Sequence, residues 1–357
     1  MLDGLPNTTA YTLIMRDRAT WETRFAAQKT TRRDIVQFQE RVAGIDSAEA
    51  LLKDYRTLKF VLTAFGMEGE IGKTAVLRKL MTEDPTDPEA FANRMVDPRY
   101  RAFADAMAAW LPSDAVRART LDTIAAGYMT RNPAAASQVT ADFRSRAVPV
   151  RTVGEVIGDR TLADYTLEAF GIDPAIVDDD ALRRLLTEDP GDGSSYAAGQ
   201  GGGAYVSYAH ALAGWIGNAG VGSRLAAGIV DRWTTNAFEI DQEGSGVRAA
   251  LYFRRVMGTV SSINALMSDK VLMEVVRGAY GLGDKFGLLE FEQQQRILAQ
   301  KVDFAALEDP AAIDRLAQRY LLGQQGGTAS SPLLALFDNS GNANTVVTLG
   351  LLLRAQA

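Results

Sequence analysis

The sequence predicts an all-α chain built from tandem helical repeats of about 105–110 residues, two full copies and a partial third. Three observations predict it. The chain is self-similar at a fixed offset, helix-capping residues recur at matching positions, and alternating runs rich in Val, Ile and Thr are nearly absent. Residues 64–110 align without a gap to 169–215 at an offset of 105, with 18 of 47 positions identical. Ala64-Phe65-Gly66 meets Ala169-Phe170-Gly171, Thr82-Glu83-Asp84-Pro85 meets Thr187-Glu188-Asp189-Pro190, and Trp110 meets Trp215. A third copy follows at a further offset of 110. Phe38, Phe143 and Phe253 correspond, as do Asp54, Asp159 and Asp269, and Ala279-Tyr280-Gly281 completes the Ala-Phe-Gly set. Equal Phe-to-Asp gaps of 16 residues require equal turns between the helices.

Within each copy the elements read in order. Ser47, Thr152 and Ser262 precede short apolar stretches, the position where a hydroxyl accepts from the free N–H groups of a first helical turn. The next helix runs from about Asp54 to Phe65, with Tyr55, Leu58, Leu62 and Phe65 on one face. Gly66, Gly171 and Gly281 end the corresponding helices, where a left-handed residue costs least as glycine. Asp-Pro pairs at Asp87-Pro88, Asp97-Pro98, Asp173-Pro174 and Asp309-Pro310 read as helix starts. The recurring aromatics Phe38, Phe65, Trp110, Phe143, Phe170 and Trp215 are expected in the core. The recurring aspartates are expected as caps rather than catalytic acids. The segments are 1–29 (N-terminal helical), 30–135 and 136–245 (the full repeats), 246–322 (the partial repeat) and 323–357 (a tail). In the second copy, Gly-rich 191–204 reads as a helix degenerated into a loop.

Composition removes several classes of chemistry. The chain has 357 residues, a net charge of −6 and 47% hydrophobic residues, and it has no cysteine. Disulfides, thiolate metal sites and a cysteine nucleophile are therefore excluded. His210 alone cannot build a multi-histidine site. Acidic net charge with both signs interspersed gives no field for a nucleic-acid backbone. No apolar run is long enough to span a bilayer, and the N-terminus lacks a signal-peptide pattern, so a cytoplasmic location is expected.

The remaining candidates favour structure over chemistry. Gly69-Glu70-Ile71-Gly72-Lys73-Thr74 imitates a phosphate loop, but Met67 stands at the required first glycine and two acids flank it. Asp178-Asp179-Asp180 lacks calcium-loop spacing and suits a helix N-terminus. His210 reads as a helix-surface or interface residue, and Gly199–Gly203 as a linker. Arg32-Arg33, Arg144/Arg146 and Arg254/Arg255 read as solvated helix faces. No cofactor and no metal is expected.

The segment VAGIDSAEALLKDYRTLKFVLTAFGM (42–67) resembles the hallmark stretch of a bacterial family, domain of unknown function 1217. FANRMVDPRYRAFA (91–104) and VRAALYF (247–253) resemble two further blocks of it. The resemblance implies an alphaproteobacterial setting, often among flagellar genes, and supplies no catalytic residue. It points to a non-enzymatic structural or assembly protein with a protein partner, a flagellar component in this reading. A cytoplasmic helical regulator unrelated to motility is the alternative, and an enzyme the third. Gene neighbourhood separates the first two; a pocket of converging acids supports the third.

Overall fold

The computed structural model describes residues 4–134, 137–201, 203–244 and 246–325. Among the described residues the chain is helical, with no strand. Two helices, α1 (Asn7–Arg16) and α2 (Arg18–Ala26), precede the first repeat. That repeat comprises α3 (Lys29–Val42), α4 (Ala48–Lys53), α5 (Tyr55–Ala64), α6 (Thr74–Thr82), α7 (Phe91–Arg94) and α8 (Pro98–Trp110). A long helix, α9 (Asp114–Arg131), follows.

The second copy has the same order: α10 (Ser137–Ala147), α11 (Val153–Gly158), α12 (Arg160–Ala169), α13 (Asp179–Thr187), α14 (Tyr196–Gly199) and α15 (Gly203–Ile216), then the long α16 (Ala219–Asp241). In the third, α17 (Val247–Val256), α18 (Ile263–Ser268), α19 (Lys270–Ala279), α20 (Phe291–Lys301) and α21 (Pro310–Gln325) recur, with a 3-10 turn at Ala306–Glu308 in place of α7 and α14. The third copy thus carries the order further than the partial unit read from sequence. Most of the tail 323–357 lies outside the described residues.

Identical local chemistry sets this order. Ser47, Thr152 and Ser262 accept from the N–H groups of Ala50, Glu155 and Ala265. Asp54 accepts from Thr57 N–H, Asp159 from Leu162 N–H, and Asp269 from both Val271 and Leu272 N–H. Such caps satisfy donors that a first turn leaves orphaned, each stabilising by about 0.5–2 kcal/mol. At the far end Gly66, Gly171 and Gly281 have φ of +65°, +75° and +63°. There Met67, Ile172 and Leu282 donate back to the carbonyls of Leu62, Leu167 and Arg277, closing the same Schellman motif three times.

The Gly-rich segment of the second copy did not lose its helix. Ser195 caps α14, and Glu188 accepts from Tyr196 N–H as Glu83 does from Phe91 N–H, so one carboxylate replaces what composition lacks. Asp87-Pro88 is a correction in the other direction. It lies in a turn, where Asp87 accepts from Glu89 N–H and no helix begins.

By contact the five sequence segments group into two compact units: the described residues of Met1–Ala27 with Asn236–Ala357, and Gln28–Thr235. In the former, α1 packs on α17 and α21, burying Tyr11, Ile14, Phe253 and Tyr320. Buried Glu239 there takes Arg18 of α2 and Arg255 of α17, and Arg254 pairs with Asp314. Arg254 is therefore half-buried and paired, while Arg255 is exposed as read from the sequence but is tied to buried Glu239.

In Gln28–Thr235 the two full repeats exchange their long helices. Helix α9 follows the first repeat in sequence, yet its Leu121, Ile124 and Ala125 lie in the core of the second, with Phe143, Tyr165 and Trp215. Helix α16 follows the second repeat, yet its Ile229 lies in the core of the first, with Phe38, Phe60 and Phe103, and its Trp233 packs against that core. The ring stacks show the same exchange. Tyr128 of α9 stacks on Tyr165, which stacks on Phe143. Trp233 of α16 stacks on Phe60, which stacks on Phe38. The 105-residue offset continues through these helices, placing Val116, Arg119, Ile124 and Tyr128 against Val221, Arg224, Ile229 and Trp233.

Candidate functional site

The recurring polar residues are consumed by the fold. Asp54 also pairs with Arg41 at 2.7 Å and Asp159 with Arg146 at 3.0 Å. Burial works to raise the pKa of both aspartates. It is outweighed at Asp54 by the Arg41 and Thr57 hydrogen bonds, and at Asp159 by the Leu162 N–H and Arg146, so both lie below the ordinary carboxylate range. Asp269 has no arginine at the matching place. Tyr252 donates to it at 2.5 Å instead. The Thr-Glu-Asp-Pro corners are likewise closed, with Arg119 on Asp84 and Arg224 on Asp189.

The other sequence candidates stay apart. Glu68–Glu70 forms a 3-10 turn and α6 starts at Thr74, so no loop wraps a phosphate. Asp178 caps α13 through Ala181 N–H, with Asp179 and Asp180 in its first turn. His210 is exposed on α15. Among the described residues no three His, Asp or Glu side chains converge as metal ligands, and no helix is long and apolar enough to cross a membrane.

The aromatic core positions do not behave alike. Phe38, Phe65, Phe143 and Phe253 are buried, and Trp215 is fully so. Trp110 and Phe170 are only half-buried, a correction to the burial expected of them, and Tyr280 in the third copy is half-buried as well. The exchanged helices explain the first two. Arg117 of α9 donates to Trp215 O at 2.5 Å and to Pro112 O at 2.9 Å, closing the end of α15. Its counterpart at the 105 offset is Gly222 of α16, whose Cβ position meets only Trp110, at 3.8 Å. Trp110 is left partly uncovered. Ten residues along, the pattern inverts. Arg232 lies over the Phe65 ring at 5.1 Å, while its counterpart Gly127 has no side chain and Phe170 is only half-buried. A side chain at Gly127 would place Cβ 2.8 Å from Ala169 O, so the close approach of α9 to α12 demands glycine there.

Beside Trp110 opens a cleft of about 770 Å³. Val42 at the end of α3, Ile45 just after it, Leu111, Ile216 and Ala226 give it an apolar floor. Asp46, Arg117 and Arg151 supply its charges. Burial and the neighbouring Arg151 push the Arg117 pKa below its ordinary value, with Asp114 opposing. Nothing in sequence periodicity marked this cleft, since Trp110 and Trp215 are identical residues at matching positions. The signal was the Arg117/Gly222 difference, seven residues beyond the end of the aligned stretch at Trp110/Trp215.

The helix order, the three capped units and an apolar cleft with few polar groups define an all-helical repeat protein. The chain belongs to the family described as Protein of unknown function (DUF1217), whose model matches residues 64–144 and 169–313. A search of the curated proteins returns no match. Among solved structures the chain is similar to the crystal structure of protein AGR_C_984 from Agrobacterium tumefaciens, a structural genomics target. The identity is 18% and the TM-score 0.50, covering 90% of this chain and 94% of that one. That likeness concerns the fold alone.

Proposed function

We propose that the protein is a non-enzymatic structural or assembly protein that works through protein contacts, in the cytoplasm and in association with the flagellum. The observation that carries the reading is the cleft beside Trp110. A large aromatic is held half-open on an apolar floor with a few charges at its edge, which is the composition of a protein-contact hot spot. The repeated aspartates support it from the other side, because each is tied to helix N–H groups and to a cation or hydroxyl. The flagellar part rests on the family's resemblance and on nothing in the cleft.

The test is affinity purification of the tagged full-length chain from motile cells, run beside the Ala226→Glu variant, with swimming measured in a deletion strain. Recovery of flagellar components by the native chain, reduced by Ala226→Glu, is the expected result. A deletion strain that swims normally, with no flagellar component recovered, would overturn the flagellar association.

A further inference from the structure

We infer that the open half of the cleft is a receptor slot for an arginine side chain presented by a protein partner. The inference rests on the cleft being the contact surface proposed above. The template lies inside the molecule. In the second repeat, the end of α15 is closed by Arg117, whose guanidinium donates to the carbonyls of Trp215 and Pro112. In the first repeat the corresponding tryptophan is Trp110, the corresponding carbonyls are those of Trp110 and Gly217, and the corresponding side chain is missing, because Gly222 stands in its place. No hydrogen bond to either carbonyl is made among the described residues.

Charge agrees with this template. Arg151 stands near Arg117 in the filled half, and the two cations oppose each other there. Its counterpart in the open half is Asp46, an exposed carboxylate on the cleft wall with no ion-pair partner among the described residues. A guanidinium entering beside Gly222 would find the Asp46 carboxylate on the same cleft wall, with Arg117 and Arg151 lining the filled half. It would also find the half-buried Trp110 indole, whose Cδ1 lies 3.8 Å from the Gly222 Cβ position, a favourable neighbour for arginine. The methylenes of an arginine suit the apolar floor of Val42, Ile45 and Ala226. Lysine offers a point charge and cannot fork between two carbonyls, so arginine is the better fit.

The experiment titrates the full-length protein with N-acetyl-argininamide, following tryptophan fluorescence. The N-acetylcitrullinamide isostere, the lysine amide and the glutamate amide serve as controls. The expected result is saturable millimolar binding of the arginine probe, at least fivefold weaker binding of the lysine and citrulline probes, and no response to glutamate. Asp46→Asn should weaken the arginine probe at least fivefold. Gly222→Arg should fill the slot from within, raising the Tm and abolishing the response. A flat titration of the native protein overturns the inference, as does equal binding of citrulline, preference for glutamate, or an unchanged response in Asp46→Asn. A Gly222→Arg chain that folds and still binds the probe as the native one does overturns it too. A flat titration leaves the proposed scaffold role to the co-purification experiment, so the two failures are distinguishable.

Discussion

The first two repeats carry a tryptophan at the same place, yet Trp215 is sealed and Trp110 stands half-open. Their own helices match in order, in the caps of α4/α11 and α5/α12, and in the Schellman ends of α5 and α12. What differs is the helix each receives from the other: α9 brings Arg117 to Trp215, and α16 brings Gly222 to Trp110. The same exchange inverts at the next aromatic pair, where Arg232 covers Phe65 and Gly127 brings no side chain to half-buried Phe170. An internal duplication can thus keep its framework while one borrowed side chain decides whether an aromatic becomes core or contact surface. That is how a symmetric sequence acquires a single asymmetric cleft wall.

The comparison breaks most severely at the sealed aromatics. Phe65→Ala removes a buried ring that packs edge-on against Phe103 and lies under Arg232, and should cost about 3–5 kcal/mol in denaturant unfolding. Trp215→Ala falls in the same class, whereas Trp110→Ala should cost less than half as much, since that ring is already partly solvated. Equal losses at 110 and 215 would erase the distinction between the two ends.

A smaller effect is expected at the caps. Asp159→Ala loses the Leu162 N–H and Arg146 contacts and should cost about 0.5–2 kcal/mol in a melt, leaving partner capture unchanged. An unchanged melt with abolished capture would make Asp159 a recognition residue. Smaller still is the pH dependence. The pKa values of Asp54, Asp84 and Asp159 are all lowered in the folded chain. Their contribution is therefore complete above the unfolded value of about 3.9 and is lost as pH falls through the folded values. Tm measured from pH 6 downward should stay level until near that value and then drop, and Asp54→Asn with Asp159→Asn should flatten the drop.

The framework was legible in the sequence because its causes are local. Ser47, Asp54 and Gly66 act on turns within four residues of themselves, so spacing alone announces them. The degenerate reading of 191–204 failed because helix α14 is held by Glu188, eight residues before Tyr196, together with a single cap, Ser195, inside the Gly-rich segment. The face assigned to Tyr55 failed similarly. Tyr55 is exposed at the first position of α5, outside the stripe that Leu58, Leu62 and Phe65 bury. The exchange of α9 and α16 was not legible at all, since an amphipathic helix does not record which copy of a repeated core it will cover. The cleft inherits that silence. Its cause is a glycine whose meaning appears only beside Arg117 in the other half.

The central claim is that each long helix completes the repeat it does not follow. Selective labelling of the Trp233 indole, the Tyr128 ring and the rings of Phe60 and Tyr165 tests it through proton–proton Overhauser contacts. The ring centroids are 4.4 Å apart for Phe60 and Trp233 and 3.8 Å for Tyr128 and Tyr165. Cross-peaks from Trp233 to Phe60 and from Tyr128 to Tyr165 are the predicted result; cross-peaks from Trp233 to Tyr165 and from Tyr128 to Phe60 would contradict the exchange.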